Sequence, residues 1–338
     1  MIPSPPMQIT RRNFAAVTIG SLSVVSVPVT RAFGATRINS KIDGVQVGAI
    51  TYSFNRIASP DPEAIIRAYT EIGLGEAELM SNHCEALAGG PQMPNFARPR
   101  PAGGAASGGG RPQLTPEQQA ERQVAQDKLK EWRMSTTPGT WKAVAKKFSD
   151  AGIDLALLCY NMQDSMKDDD IEYGFTMAEG LGVKSMTTST TLTMAKRIAP
   201  LAEKHKITVG YHGHDATSDP NQTATLESYD TLMSYGKYNA INLDIGHFTA
   251  AGYDAVAFIK QHHAKITNLH LKDRKKNHGP NVAVWGTGDT PMKPVLQLMK
   301  KEKYPFPANM ELEYQIPPDS NIIAEGKKCF AYVKECLA

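Results

Sequence analysis

Three things are scarce in this chain, and each scarcity removes a class of function. Cysteine is the first: Cys84, Cys159, Cys329 and Cys336 form no C-x-x-C pair, so neither a zinc knuckle nor a dithiol redox motif is expected. Cys329 and Cys336 share a predicted helix and lie about 10 Å apart along its axis, too far for an easy mutual disulfide. The expected state is four buried or half-buried thiols. Basic charge is the second: the formal net charge is +3 and no Lys/Arg-rich block stands out, so nucleic acid is not an expected partner. Long apolar runs are the third: Ala15–Val29 is short and rich in Ser and Thr, so no stable membrane span is expected. What remains is the composition of an ordinary soluble globular protein, 41% apolar and 21% charged over 338 residues, enough for one large barrel.

The N-terminus reads as a processing segment. Thr10-Arg11-Arg12-Asn13-Phe14 precedes the apolar stretch, and Ala32-Phe33-Gly34-Ala35 follows it. A charged start, an apolar middle and a small-residue end make an export signal. The paired arginines before Phe14 resemble a twin-arginine signal. Residues 1–35 are therefore assigned to the signal, with a mature chain from about Ala35–Lys41 and the periplasm as its destination.

Beyond it, β-type runs alternate with helix-type runs. The expected strands are Val45–Tyr52, Glu76–Met80, Ile153–Tyr160, Val183–Thr188, Ile207–Tyr211, Ala240–Leu243, Ile266–Leu271 and Ala308–Glu313. The helices that follow them are Pro62–Ile72, Thr140–Ala151, Asp170–Leu181, Leu192–His205, Thr223–Tyr235, Tyr253–His263, Pro291–Lys301 and Ile322–Leu337. Strict alternation implies parallel strands with right-handed crossovers. Eight units imply an α/β fold that closes: a single (β/α)8 TIM barrel over residues 41–338. One stretch breaks the rhythm. Gly89–Pro112 is rich in Pro and Gly and supports no regular structure. Thr115-Pro116-Glu117-Gln118 then reads as a capping box with Pro at the first helical position, opening a polar helix to about Met134. Residues 89–137 are read as an insertion after the second strand. Its helix is a lid, an oligomer contact or plain surface.

Four strands end in metal-type side chains. They are Tyr211-His212-Gly213-His214-Asp215, Leu243-Asp244-Ile245-Gly246-His247, Leu269-His270-Leu271-Lys272-Asp273 and Met310-Glu311-Leu312-Glu313. The steps from His212 to Asp244, His270 and Glu311 are 32, 26 and 41 residues, roughly one strand–helix unit each. Such spacing places ligands at the same end of successive parallel strands, the mouth where barrel enzymes work. Asp244, His270 and Glu311 are expected metal ligands. His212 or His214 is the fourth, and His212 is assigned because it lies deeper in its strand. Two imidazoles and two carboxylates suit one divalent cation, with Mn²⁺ first and Mg²⁺, Co²⁺ or Zn²⁺ open.

These segments resemble the sugar phosphate isomerase/epimerase superfamily, the xylose isomerase-like barrels, over most of residues 45–337. The resemblance implies a small-molecule carbohydrate substrate. It also implies proton abstraction next to a carbonyl through a metal-stabilised enediolate, as in an isomerase or epimerase. In the epimerases a Glu, Asp, His, Glu set holds the metal, and the two Glu act as acid and base. Asp244, His270 and Glu311 match three positions, but the first Glu falls on His212. A histidine base, or a reaction needing one carboxylate, then replaces two-carboxylate epimerisation, and a lyase or hydratase on 3-keto-sugars or 3-keto-glycosides is the alternative.

The expected roles follow. Glu311 is base and ligand together, and His214 is a second candidate base. His247 contacts a substrate oxygen. Glu78 is an acid/base or orienting residue, with Asn82 and His83 beside it at the substrate. Lys272 polarises an oxygen or pairs with Asp273, which is placed with it at the substrate. Glu313 supports Glu311 and faces the substrate. Tyr52 and Phe54 stack on a sugar or are core, and Trp285 walls the pocket. A homo-oligomer is possible on this reading. Two other classes are an endonuclease-type phosphodiesterase, for which more ligands and a basic surface are expected, and a non-catalytic periplasmic sugar-binding protein.

Overall fold

In a computed structural model the described residues are 36–94 and 114–338. The export-signal assignment, and Gly89–Pro112 beyond Pro94, lie outside them. The strands are β1 (Lys41–Ile42), β2 (Val45–Ile50), β3 (Glu76–Met80), β4 (Asp154–Cys159), β5 (Ser185–Thr188), β6 (Thr208–His212), β7 (Asn239–Asp244), β8 (Ile266–Leu271) and β9 (Ala308–Met310). The helices are α1 (Ala64–Ile72), α2 (Ser81–Leu87), α3 (Pro116–Ser135), α4 (Pro138–Asp150), α5 (Asp168–Leu181), α6 (Leu192–His205), α7 (Leu226–Ser234), α8 (Ile245–Ala250), α9 (Ala255–His262), α10 (Met292–Glu302) and α11 (Ile322–Leu337).

Strands β2 to β9 pair in parallel in sequence order. β2 also pairs with β9, Val47 opposite Ala308, which closes an eight-stranded barrel. β1 is an antiparallel extra on β2. The strands are buried on both faces because helices cover the outside; every residue of β7 is buried. Outward-facing apolar residues such as Val209, Leu243 and Leu269 join one continuous core with Phe175, Ile198 and Phe258 from the helices. The helix stops are local. Gly73 at φ 89° and Gly182 at φ 81° take the left-handed conformation that ends α1 and α5, which costs glycine little.

The capping box at Thr115 is present: Gln118 N donates to Thr115 Oγ1 (3.3 Å), and Thr115 N donates to Gln118 Oε1 (3.0 Å). α3 buries none of its residues fully. Its C-terminal end is moored by Arg133, which bonds both oxygens of Glu85 at 2.7 and 3.2 Å. No helix among the described residues is long and apolar enough to cross a membrane. All four cysteines are buried and unpaired.

Strand ends depart from the sequence reading in ways that shape the mouth. β2 stops at Ile50, and Thr51–Phe54 turn as a 3-10 helix, carrying Tyr52 to the rim at 39% exposure. β9 stops at Met310, and Leu312 N donates instead to Ser53 Oγ (3.0 Å). Glu311 and Glu313 therefore sit beyond the ladder. The two short helices α2 and α8 were not expected; each begins directly at a strand end.

Candidate metal centre

Register brings the expected ligands together. Asp244 on β7 lies directly opposite His270 on β8, and His212 on β6 lies opposite Asn242 on β7. Glu311 N donates to Leu271 O (3.0 Å), which holds Glu311 beside His270. Each of His212, Asp244, His270 and Glu311 offers one ligand atom within 4.8 Å of the others, and all four are buried.

Each of these four is oriented by a partner. His212 Nδ1 meets Asn242 Oδ1 at 2.5 Å, leaving Nε2 to face Asp244 Oδ2 at 4.0 Å. A histidine that gives one nitrogen to a supporting acceptor and keeps the other free is built like a metal ligand. Asp244 caps α8: its Oδ1 accepts from His247 N (2.8 Å). Its Oδ2 is buried and accepts no well-directed hydrogen bond, although Lys272 Nζ lies 2.9 Å away. His270 is gripped on both sides, Nδ1 by Glu311 Oε2 (2.9 Å) and Nε2 by Glu78 Oε2 (2.7 Å). Lys272, 2% exposed, faces Asp244, Glu311 and Glu313 at 2.9, 3.0 and 2.6 Å.

Burial and neighbours set the charges. Burial pushes His270 down, but Glu78 and Glu311 outweigh it and hold the imidazole well above its usual range. Burial likewise opposes the Lys272 charge, and Asp244, Glu311 and Glu313 more than restore it. Glu311 is held well below the carboxylate range because Lys272 and His270 overcome burial. Burial, then His214 and His270, push His212 well down. Burial, then His247, lower His214 to about 4. Both are neutral near pH 7 and so available as lone-pair donors.

The donor set fits a divalent cation. Two imidazole nitrogens and two carboxylates converge, one carboxylate oxygen is buried without a hydrogen bond, and the buried acids Glu78, Asp244 and Glu311 outnumber the buried cations Lys272 and His270. A cation there removes the imbalance. Around the set opens a cavity of about 470 Å³ whose walls include Tyr52, Met80, Asn161, Ser189, His214 and Glu313.

A family model of xylose isomerase-like TIM barrels matches residues 188–332. The chain folds as a TIM barrel, and over these residues, somewhat under half of its length, it is similar to that family. Inosose dehydratase of Clostridium perfringens is 26% identical over 178 residues, 47% of this chain and 54% of that protein. The chain thus spans about half the length of the curated relatives it matches. Solved structures at lower identity share the fold. A sugar phosphate isomerase/epimerase from Parabacteroides distasonis superposes with TM-score 0.54 at 15% identity, covering 88% of this chain and 96% of that one. The probable 3-DHS dehydratase of petrobactin synthesis from Bacillus anthracis gives 0.55 at 15%, over 86% and 97%. The IolI protein with a bound zinc atom gives 0.53 at 14%, over 86% and 96%.

On this barrel several expected site residues take other positions. Glu78 does line the cavity, but fully buried at its floor beside His270, in the orienting one of its two expected roles. Its Oε1 accepts from Thr187 Oγ1, and its Oε2 from Asn268 Nδ2 and His270, so it orients His270 and has no free oxygen for acid/base work. Asp273 does not pair with Lys272. It is 1% exposed and accepts from the backbone of Gly286 (2.8 Å) and Gly288 (2.9 Å), pinning the loop after β8. Trp285 on that loop packs on Tyr332 of α11, 6.5 Å between rings, and does not wall the cavity. His83 is buried on Thr51 Oγ1 (3.0 Å), away from the cavity walls, and burial lowers it to about 4. Phe54 is core against Tyr69. Tyr52, Glu313, His214 and His247 do line the cavity; Lys272 lies just behind it.

Two residues without an expected role stand out. Asp215 and Arg274 form an ion pair (2.8 Å) that fixes His247: Nδ1 of His247 lies 2.9 Å from Asp215 Oδ1 and 2.5 Å from Arg274 Nη1. Its Nε2 is then the atom presented to the site, 4.0 Å from Asp244 Oδ2. Arg274 follows Asp273 in sequence, and only its contact across 59 residues reveals the pairing. Asn161 and Ser189 also line the cavity; polar residues just past strand ends are the only signal for them.

Proposed function

We propose that the mouth works as a divalent-metal-assisted dehydratase or lyase on a keto-sugar or related polyhydroxylated ketone. The observation that carries this is the neutral, unbonded His214 imidazole on the cavity wall, beside a ligand set whose two carboxylates, Asp244 and Glu311, both face Lys272. A two-carboxylate epimerase needs a second free acid. Here Glu78 is spent on His270, and His212 stands where that acid would be.

A divalent cation in the set would polarise the ketone oxygen and stabilise charge that develops there. His214 takes the proton from the carbon next to the ketone. The electron pair moves towards the ketone oxygen, then returns to form a carbon–carbon double bond as the β carbon–oxygen bond breaks. His247, fixed at Nδ1 by Asp215 and Arg274, delivers a proton from Nε2 to the departing oxygen, which leaves as water or an alcohol. Lys272 holds Asp244, Glu311 and Glu313 in place and offsets their charge. The dehydratases among the relatives support this reading. An isomerase or epimerase is the second reading: it shares the first proton abstraction, and the sugar phosphate isomerase/epimerase neighbour favours it. We also propose that the chain is exported, on the strength of the Arg11-Arg12 segment; a reporter fused to residues 1–40 that stays in the cytoplasm would exclude that route.

The test is turnover of a 3-keto-sugar in deuterated water. A product lighter by one water or alcohol supports the lyase. Solvent deuterium returned to the same carbon without elimination supports the epimerase. Neither outcome, together with no uptake of Mn²⁺ or Zn²⁺, sinks both.

A further inference from the structure

The outer wall of the cavity carries a charge pattern that the ligand set does not require. Glu313 lies on it with a quarter of its side chain exposed; its Oε2 accepts from Lys272, and the Tyr52 hydroxyl shares the carboxylate. Tyr52 stands beside it, and Ile50 and Met80 add apolar surface. Across the space, Asn161 uses its Oδ1 on Ser189 N (2.8 Å), leaving Nδ2 as a neutral donor. Among the described residues that line the cavity there is no Lys or Arg. The two nearest cations are engaged: Lys272 by three carboxylates, and Arg274 by Asp215 and by Gly279 O (2.7 and 3.0 Å).

We infer that the substrate is an uncharged polyhydroxylated ketone, and that Glu313 both accepts from one of its hydroxyls and rejects phosphate- or carboxylate-bearing analogues. This rests on the reading of the mouth as a keto-sugar site. A part-exposed carboxylate with lone pairs to spare recognises hydroxyl hydrogens. Ile50 and Met80 accept the C–H face of a ring, and an anion placed beside Glu313 meets like charge in a partly desolvated wall. A phosphate-binding barrel presents the reverse, donors and a helix N-terminus aimed at the anion.

The experiment is calorimetric binding of 3-keto-D-glucose and of the same ketose 6-phosphate to the metal-loaded protein. The neutral sugar is expected to bind at least about tenfold tighter at low salt. Raising ionic strength should narrow that gap by screening, and Glu313→Gln should reduce it to within about threefold. The salt series on the unaltered chain decides the matter if Glu313→Gln fails to fold. Equal or tighter binding of the phosphate overturns the inference and leaves the proton-abstraction reading standing. Binding of neither sugar overturns the inference as well. The deuterium experiment then decides the reading separately.

Discussion

The two corners of the barrel mouth use similar residue types and reach opposite charge states. At the β8–β9 corner, His270 sits between Glu78 and Glu311, with Lys272 on the far side of Glu311. Carboxylates on both ring nitrogens keep the proton on. At the β6–β7 corner, His212 meets His214 at 4.7 Å between rings, and His214 meets His247 at 5.0 Å. Imidazoles beside imidazoles, under burial, drive the proton off. One corner thus holds cationic charge against buried acids, the arrangement a metal ion replaces. The other offers lone pairs, the arrangement a base requires. Identity of side chain decides little here; the neighbour decides.

The contrast can be broken most severely at Asp244, which touches both corners. Asp244→Asn should lose the metal and lower turnover about 10³-fold or more, read by metal analysis and initial rates. His214→Asn should touch only the neutral corner. Turnover falls about 10²–10⁴-fold while metal content stays at the unaltered level, and a parallel loss of metal would move His214 into the ligand set. Glu78→Gln should touch only the charged corner, weakening metal affinity about 10–100-fold in a chelator competition. Metal binding should tighten as pH rises, because His270 must shed its proton to ligate, and Glu78→Gln should flatten that slope.

Buried neutral histidines, one in that corner and one beside Thr51, also set the acid stability of the metal-free protein. His83 and His214 are lowered to about 4, while unfolded histidines titrate near 6.5. The unfolded state therefore binds more protons between these values. Stability is fully present above about pH 6.5 and is lost as pH falls towards about 4, by about 1.4 kcal/mol per pH unit per group. The raised His270 acts in a different window: its contribution is complete below about 6.5 and is lost only at higher pH. Denaturant titrations from pH 4 to 9 separate the two. The smallest effect expected is at Asp273→Asn. Stability drops by about 1–3 kcal/mol as the loop after β8 loses its anchor, with KM for the substrate unchanged; a raised KM would return Asp273 to the substrate.

Much of the barrel was legible because its signals are local. Ile241-Asn242-Leu243-Asp244 reads as a buried strand with a ligand at its end, and Thr115–Gln118 reads as a capping box wherever it occurs. The convergence of His212, Asp244, His270 and Glu311 was legible for the same reason, since parallel strands in order put like positions at one mouth. What escaped depends on the third dimension. Glu78 reads as either an acid/base or an orienting residue until β3 is seen across the barrel from His270, 192 residues away. Asp273 looks like the partner of its neighbour Lys272, yet adjacent residues leave a strand end on opposite sides, and it turns away to the 286–290 loop. Trp285 follows that loop out to α11. α2 and α8, seven and six residues long, are too short to show a periodicity of their own.

The claim beneath all of this is that His212, Asp244, His270 and Glu311 hold one divalent cation. Anomalous diffraction at the manganese edge, from crystals grown with Mn²⁺, tests it most directly. The account predicts a single strong peak per chain within bonding distance of those four side chains, with Lys272 displaced from Asp244. No peak there, or a peak held by His214 and His247 without Glu311, would contradict it.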